Sequence, residues 1–367
     1  MSAQTLAAPE YVQRLSPYIP GKPIDELARE YGLDPNDIVK LASNENPRGP
    51  SARVRDAIAA AAAGITRYPD GNGFALKNAL AARFDVTPEH IVLGNGSNDI
   101  LELATQAFLR PGDEAVYSQH AFAVYPLATQ ARGGVGVSVA ARALGHDLSA
   151  MRAAITPRTR IIFVANPNNP TGTWIEPAVL RAFIASVPSE ILVVLDEAYN
   201  EYLRQDQQSD SAAWLPQHPH LLVSRTFSKA YGLAGLRIGY GLGDPTVCAM
   251  LNRVRQPFNV NSVAQAAALA ALADVEYVAE SAQINHAGLD QLTCGLAAMG
   301  VAYVPSHANF LLVHVGAAGA IYDALLRQGV IVRPVANYGL PEHLRVSVGL
   351  PAENQRFLDA LKVALAR

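Results

Sequence analysis

The stretch of the 367-residue chain richest in chemistry is Ser224-Arg225-Thr226-Phe227-Ser228-Lys229, followed by Gly232, Gly235 and Arg237. A lone loop lysine is ordinarily a solvated surface charge. Arg237, however, opens the apolar run Ile238-Gly239-Tyr240, where a cation requires an anionic partner. Lys229 and Arg237 stand eight residues apart, with small residues between them that permit close backbone approach. One amine, one guanidinium and two hydroxyls suit an aldehyde cofactor that carries a phosphate. The lysine forms the Schiff base, while Arg237, Thr226 and Ser228 hold the phosphate.

A further seat for that phosphate is Gly94-Asn95-Gly96-Ser97-Asn98-Asp99, a Gly-rich turn entering a helical pattern, where free N–H groups and the helix dipole favour an anion. Read alone, it is a capped turn with Ser97 or Asn98 as N-cap. Asn166-Pro167-Asn168-Asn169-Pro170-Thr171-Gly172, read alone, is a dense turn signal. Asp196 closes the apolar run Ile191–Leu195 and is either a cap for the next segment or a carboxylate placed for function.

These residues need a scaffold, and the chain supplies a pattern for one. The short apolar runs Ile91–Leu93, Ala115–Tyr117, Ile161–Ala165, Ile191–Leu195, Leu221–Ser224 and Ile238–Gly241 are continuous, as in strands covered on both faces of a mostly parallel sheet. Helical patterns between several of them fit right-handed crossovers. Ligands in such α/β sheets bind beyond the carboxyl ends of the strands, where the residues above fall. Ser51 caps a helix running to about Gly64, and Tyr68-Pro69-Asp70-Gly71 is turn chemistry. A long helical stretch runs from Asn261 to about Met299. Strands near Val301–Val304, Asn309–Val315, Val330–Arg333 and Leu344–Val348 follow, then a helix from about Ala352. The expected division is an N-terminal arm with part of a small domain over residues 1–45, a large cofactor-binding α/β domain over 46–270, and a small α+β domain over 271–367. The arm itself is read as Leu6 to Pro47, rich in proline.

Composition narrows the function classes. Half the residues are hydrophobic, 17% are charged, and the net charge is −3, which excludes global disorder and offers no basic field for nucleic acid. Cys248 and Cys294 are too few for a disulfide framework and read as free thiols in a reducing compartment. The residues from Met1 to Glu10 lack the pattern of a signal peptide, and the longest apolar run, Ala266 to Ala273, is far short of the roughly 20 residues of a span. A cytoplasmic protein is expected. Gly239-Tyr-Gly241-Leu-Gly243 lacks dinucleotide spacing and no Gly-Lys-Ser/Thr loop occurs; His218-Pro-His220 lies in a Pro-rich connection and reads as solvated, and the other histidines show no ligand spacing with cysteine or carboxylate.

Taken in order, Asn169-Pro-Thr-Gly, Asp196-Glu-Ala-Tyr199, Ser228-Lys229 and Arg237 resemble the fold-type-I pyridoxal-phosphate aminotransferases, and the likeness runs from Asn44-Glu45-Asn46-Pro47 to Arg345. Within that group the chain is most similar to the histidinol-phosphate aminotransferases. The cues are Ser16-Pro17-Tyr18 with Pro20-Gly21-Lys22-Pro23, Arg67-Tyr68-Pro69-Asp70, Arg333-Pro334 and Leu344-Arg345-Val346-Ser347-Val348-Gly349.

The resemblance implies a pyridoxal 5'-phosphate cofactor and a role for each matching residue. Lys229 binds the cofactor aldehyde and, once released, shuttles the substrate proton. Asp196 meets the protonated pyridine nitrogen, and Asn169 and Tyr199 the phenolic oxygen. Gly96, Ser97, Asn98, Thr226, Ser228 and Arg237 hold the phosphate, joined by Tyr68 from the partner subunit of a homodimer. Phe122 stacks on the ring, at a position often occupied by tyrosine. Arg345 grips the substrate anion with Arg333 near it, Tyr18 closes over it from the arm, and Asn46 belongs to the substrate site. Transfer between histidinol phosphate and 2-oxoglutarate, regenerating glutamate, is the implied reaction. Transfer from aromatic amino acids, decarboxylation of threonine phosphate and a pyridoxal-phosphate-binding regulator without turnover are the rivals. The regulator would carry a basic DNA-binding extension, for which the opening of this chain shows no pattern.

Overall fold

The computed structural model describes residues 7–366; Leu6, where the arm was expected to begin, lies outside them. A seven-stranded sheet runs, across its width, Ile91–Gly94, Gly239–Gly243, Leu221–Thr226, Leu192–Asp196, Thr159–Ala165, Glu114–Ser118 and Val135–Val139. Only Gly239–Gly243 is antiparallel to its neighbours, so the sheet is mostly parallel, as expected. Alternate residues of one apolar run serve opposite faces. Ile162 and Val164 pack with Leu180, Ile184 and Ala264, whereas Ile161 and Phe163 pack with Ile100, Leu101 and Tyr125. Burial on both faces explains why the runs are continuous rather than alternating.

The strand Val135–Val139 corresponds to none of the continuous apolar runs. It is an edge strand with Val135, Gly136 and Ser138 turned toward solvent or half-exposed, so it carries no unbroken apolar run. The helical stretch after Asn261 is two helices, Ser262–Leu272 and Val275–Ala298, bent by 81° at their junction. Neither is long and apolar enough by itself to cross a membrane, and nor is any other single helix among the described residues.

A second core lies around the antiparallel strands Arg333–Pro334, His343–Ser347, Phe310–His314 and Tyr303–Val304, in that order. Leu311, Val313, Leu344 and Val346 pack there against Leu292 and Leu296 of the long helix and Phe357 and Leu361 of the terminal helix Pro351–Leu365. The expected strand Val330–Arg333 is two pieces in two sheets. Val330–Ile331 pairs in parallel with Val39–Lys40, and Arg333–Pro334 pairs with the strand bearing Arg345. The N-terminal segment is thereby stitched to the C-terminal core, with Leu41 buried in it.

Near the carboxyl edge of the large sheet sits a buried ion pair. Glu197, fully buried, accepts from Arg225 Nε at 2.9 Å and from the hydroxyls of Ser209 and Ser211 at 2.7 and 2.8 Å. Removing one partner of such a pair strands a charge in the interior, so Arg225→Met is expected to destabilise the fold by about 3–5 kcal/mol in chemical denaturation. A loss below about 1 kcal/mol would show that the pair is not what holds these strand ends together.

Candidate active site

Asp196, Asn169 and Thr226 all stand at or just beyond the carboxyl ends of neighbouring parallel strands, and the helix Ser97–Phe108 starts beside them. Together with the arm and the second core they enclose a cleft of about 350 Å³. It is lined by Tyr18, Ser97, Asn98, Phe122, Asn169, Asp196, Tyr199, Thr226, Ser228, Lys229, Arg237, Arg333 and Arg345, among others. Thirteen of the expected site residues are thus drawn from positions spread across the whole chain into one cavity.

The cleft has a cationic end and a buried acidic wall. The Lys229 amine donates to the Ser43 carbonyl at 3.1 Å, and burial, reinforced by the Arg345 charge, lowers its pKa to about 8. Burial raises the Asp196 carboxyl to about 6, against a hydrogen bond from the Tyr125 hydroxyl to Oδ2 at 2.9 Å. The other carboxylate oxygen, Oδ1, is buried without a partner. The Tyr199 hydroxyl accepts from the side-chain amides of Asn44 at 2.9 Å and Asn169 at 3.2 Å, and burial pushes its pKa up to about 12.

At the end of the cleft where a phosphate is expected, Gly96 has a φ of +86° and lies against the Arg237 guanidinium; a Cβ there would fall 2.5 Å from Nη2. Gly239 is packed as tightly, since its Cβ would sit 2.5 Å from the backbone nitrogen of Ser97. Glycine at both positions lets the helix start approach the strand and the arginine. Arg237 precedes the strand instead of opening it. It occupies a left-handed turn before Gly239–Gly243 and makes no ion pair among the described residues. Its Nη1 donates to the Ala234 carbonyl at 3.0 Å.

Arg333 and Arg345 are direct cross-strand partners in an antiparallel pair, where like charges repel. Both are buried, and their hydrogen-bond partners are neutral groups. Arg345 donates to Asn169 Oδ1 at 2.6 Å and to the Ala42 carbonyl at 2.7 Å, and its Nε is buried without a partner. Arg333 donates to the Ile19 carbonyl at 2.6 Å, its guanidinium 5.5 Å from the centre of the Tyr18 ring.

Two expected residues lie elsewhere. Asn46 does not line the cleft: its Oδ1 accepts from the Arg48 backbone and its amide donates to the Ala230 carbonyl and Ser281 Oγ, so it braces the lysine loop from behind. Asn44, two residues earlier and in a left-handed conformation, reaches Tyr199 instead. Tyr68 is 82% exposed, stacked on Phe258 at 4.7 Å, and touches no part of the cleft of its own chain. Tyr125 and Asn44 were missed; Asn44 belongs to a motif already singled out, whereas Tyr125 carries no sequence signal beyond a helical aromatic.

The cavity fits pyridoxal phosphate on its own chemistry. An orphaned buried carboxylate oxygen is an acceptor for a cationic ring N–H, the lysine is an amine within reach of a carbonyl, and helix N–H groups, hydroxyls and a guanidinium suit a phosphate.

The aminotransferase class I and II family matches residues 36–361. Histidinol-phosphate aminotransferase 2 of Ralstonia nicotianae is 60% identical over 363 residues, covering 98% of this chain and 97% of its own. Its namesake from Pseudomonas aeruginosa is 61% identical, covering 97% and 96%. The crystal structure of histidinol-phosphate aminotransferase from Sinorhizobium meliloti in complex with pyridoxal-5'-phosphate superposes with a TM-score of 0.92 at 30% identity, over 99% of both chains. The chain therefore belongs to the class I and II aminotransferases.

Proposed function

We propose that this chain transfers the amino group between L-histidinol phosphate and 2-oxoglutarate with pyridoxal phosphate, in histidine biosynthesis. Identity near 60% along almost the full length of relatives bearing that activity carries the reading. The paired arginines support it: two cations opposed across strands, with no carboxylate partner among the described residues, fit a phosphate dianion better than a single carboxylate.

Bound pyridoxal phosphate supplies a carbonyl that takes up the amino group and a cationic ring that accepts the electron pair released at the substrate α-carbon. Lys229 holds that carbonyl before substrate arrives. Its lowered pKa then leaves the amine able to take the α-proton and return it on the other side of the reaction. Asp196 Oδ1 accepts the ring N–H and keeps the ring cationic. Tyr199 and Asn169 hold the phenolic oxygen, and Ser97, Asn98, Thr226, Ser228 and Arg237 the phosphate, with Gly96 giving the helix start its close approach. Phe122 stacks on the ring, Arg345 and Arg333 grip the substrate anion, and Tyr18 screens it from water. Asn46 acts by bracing the lysine loop.

The exposed Tyr68–Phe258 stack is placed in a homodimer interface, with Tyr68 completing the phosphate site of the partner subunit; size-exclusion chromatography with light scattering should give twice the chain mass. We assign the two cores to a large domain over 46–270 and a small one over 271–367 joined by the N-terminal arm; the free thiols Cys248 and Cys294 suit a reducing compartment such as the cytoplasm.

Arg345→Lys is expected to lower kcat/KM about 100-fold, mostly through KM. A lysine is a point donor that cannot serve Asn169, the Ala42 carbonyl and a bidentate anion together. Steady-state kinetics with histidinol phosphate as varied substrate reads this directly, and an unchanged KM would remove Arg345 from anion binding. The substrate reading itself is tested by comparing kcat/KM for histidinol phosphate and phenylalanine with 2-oxoglutarate as acceptor. Preference for phenylalanine would make the chain an aromatic aminotransferase.

A further inference from the structure

The two carboxylate oxygens of Asp196 are treated differently. Oδ2 accepts the Tyr125 hydroxyl at 2.9 Å, while Oδ1 is buried and bare. Tyr125 has no exposed surface, and its ring is fixed from two sides. It stacks on Phe163, centroids 4.6 Å apart and 3° from parallel, and meets Phe122 edge-on at 6.0 Å and 85°. A phenol locked in this way cannot swing away from its acceptor, and burial holds its ionisation well above the ordinary range, so it acts only as a donor.

We propose that Tyr125 is a positioning residue for the transfer: its hydroxyl ties down Oδ2, leaving Oδ1 as the one free acceptor for the cationic ring nitrogen of the cofactor, and its ring braces Phe122. This rests on the cofactor reading above. The other groups around Asp196 contribute less. Glu197 opposes its ionisation, although the Glu197 charge is matched by Arg225, and Tyr199 opens away toward Asn44 and Asn169. The Ala198 backbone N–H and the Lys229 charge favour the carboxylate, but burial outweighs them. The hydroxyl is the strongest of the contacts that hold the carboxylate charged against its burial.

Tyr125→Phe removes one oxygen and keeps the packing. In the cofactor-free protein the Asp196 carboxyl, identified in infrared difference spectra by its loss in Asp196→Asn, should titrate about one to two pH units higher in the variant. Pyridoxal phosphate should bind about tenfold more weakly at pH 8, and kcat should fall with KM unchanged. In the Asp196→Asn background the Phe change should weaken binding no further. Phe163→Leu, which loosens the same ring but keeps the hydroxyl, should lower Tm and raise the titration by less than Tyr125→Phe does. 3-Fluorotyrosine placed at position 125, a stronger donor, should move the midpoint down and keeps the test open if the Phe variant does not fold. An unmoved titration, or equal weakening of binding in both backgrounds, overturns the proposal. Failure of the wild-type protein to bind pyridoxal phosphate overturns the cofactor reading instead.

Discussion

Lys229→Ala should lose at least about 10³-fold in kcat while still binding pyridoxal phosphate, because the covalent anchor and the proton carrier are the same atom. The phosphate seat is built by other residues, so affinity is expected to fall without vanishing. The pH dependence of cofactor capture separates this role from packing. Only the neutral amine attacks a carbonyl, and burial lowers the Lys229 pKa to about 8 from its ordinary 10.5. The rate at which cofactor-free wild-type protein takes up pyridoxal phosphate should therefore climb as pH rises to about 8 and level off above it. The alanine variant should show no such climb. Near-normal turnover in Lys229→Ala would remove the lysine from the chemistry.

Asp196→Asn should lower kcat by about 10² to 10³-fold, since an amide cannot hold a proton on the ring nitrogen as a carboxylate does. The same change should stabilise the cofactor-free protein. The folded-state pKa of Asp196, about 6, lies above its ordinary 3.8. The folded protein binds the proton more tightly than the unfolded chain, so this group favours folding below about pH 4 and the benefit is lost as pH rises through about 6. Above that pH the buried charge costs up to about 3 kcal/mol. Denaturation midpoints should separate in favour of the Asn variant between pH 4 and 6 and stay apart above it. A variant that loses activity and is also less stable at pH 8 would contradict the burial argument. The opposition of activity and stability is what a functional buried carboxylate produces.

The sheet and its carboxyl-edge site were legible because both leave local marks. A doubly covered strand must be apolar throughout, and its end carries the residues that face ligand, so Ile161–Ala165 led to Asn169 and Ile191–Leu195 to Asp196. Where a strand is exposed on the edge, as at Val135–Val139, that mark is absent. Val330 to Arg333 read as one strand because nothing in the residues tells that Val332 divides two sheets whose partners, Val39–Lys40 and His343–Ser347, are roughly 300 and 10 residues away. The motif around Asn46 suggests a ligand residue. A side-chain acceptor two residues before a backbone N–H is equally an Asx turn, and that local bond to Arg48 turned it from the cleft. Tyr125 was invisible because its part depends on Asp196, 71 positions along the chain, which only the fold brings to it.

The most direct test of the central claim is a half-reaction titration: purified, pyridoxal-phosphate-loaded protein is mixed with histidinol phosphate without any keto acid, and its visible absorption is followed. Stoichiometric loss of the visible band at low histidinol phosphate, a much weaker response to phenylalanine, and recovery of the band on adding 2-oxoglutarate are the expected results. A band lost to phenylalanine and indifferent to histidinol phosphate would contradict the substrate, and a band indifferent to both would contradict the transfer itself.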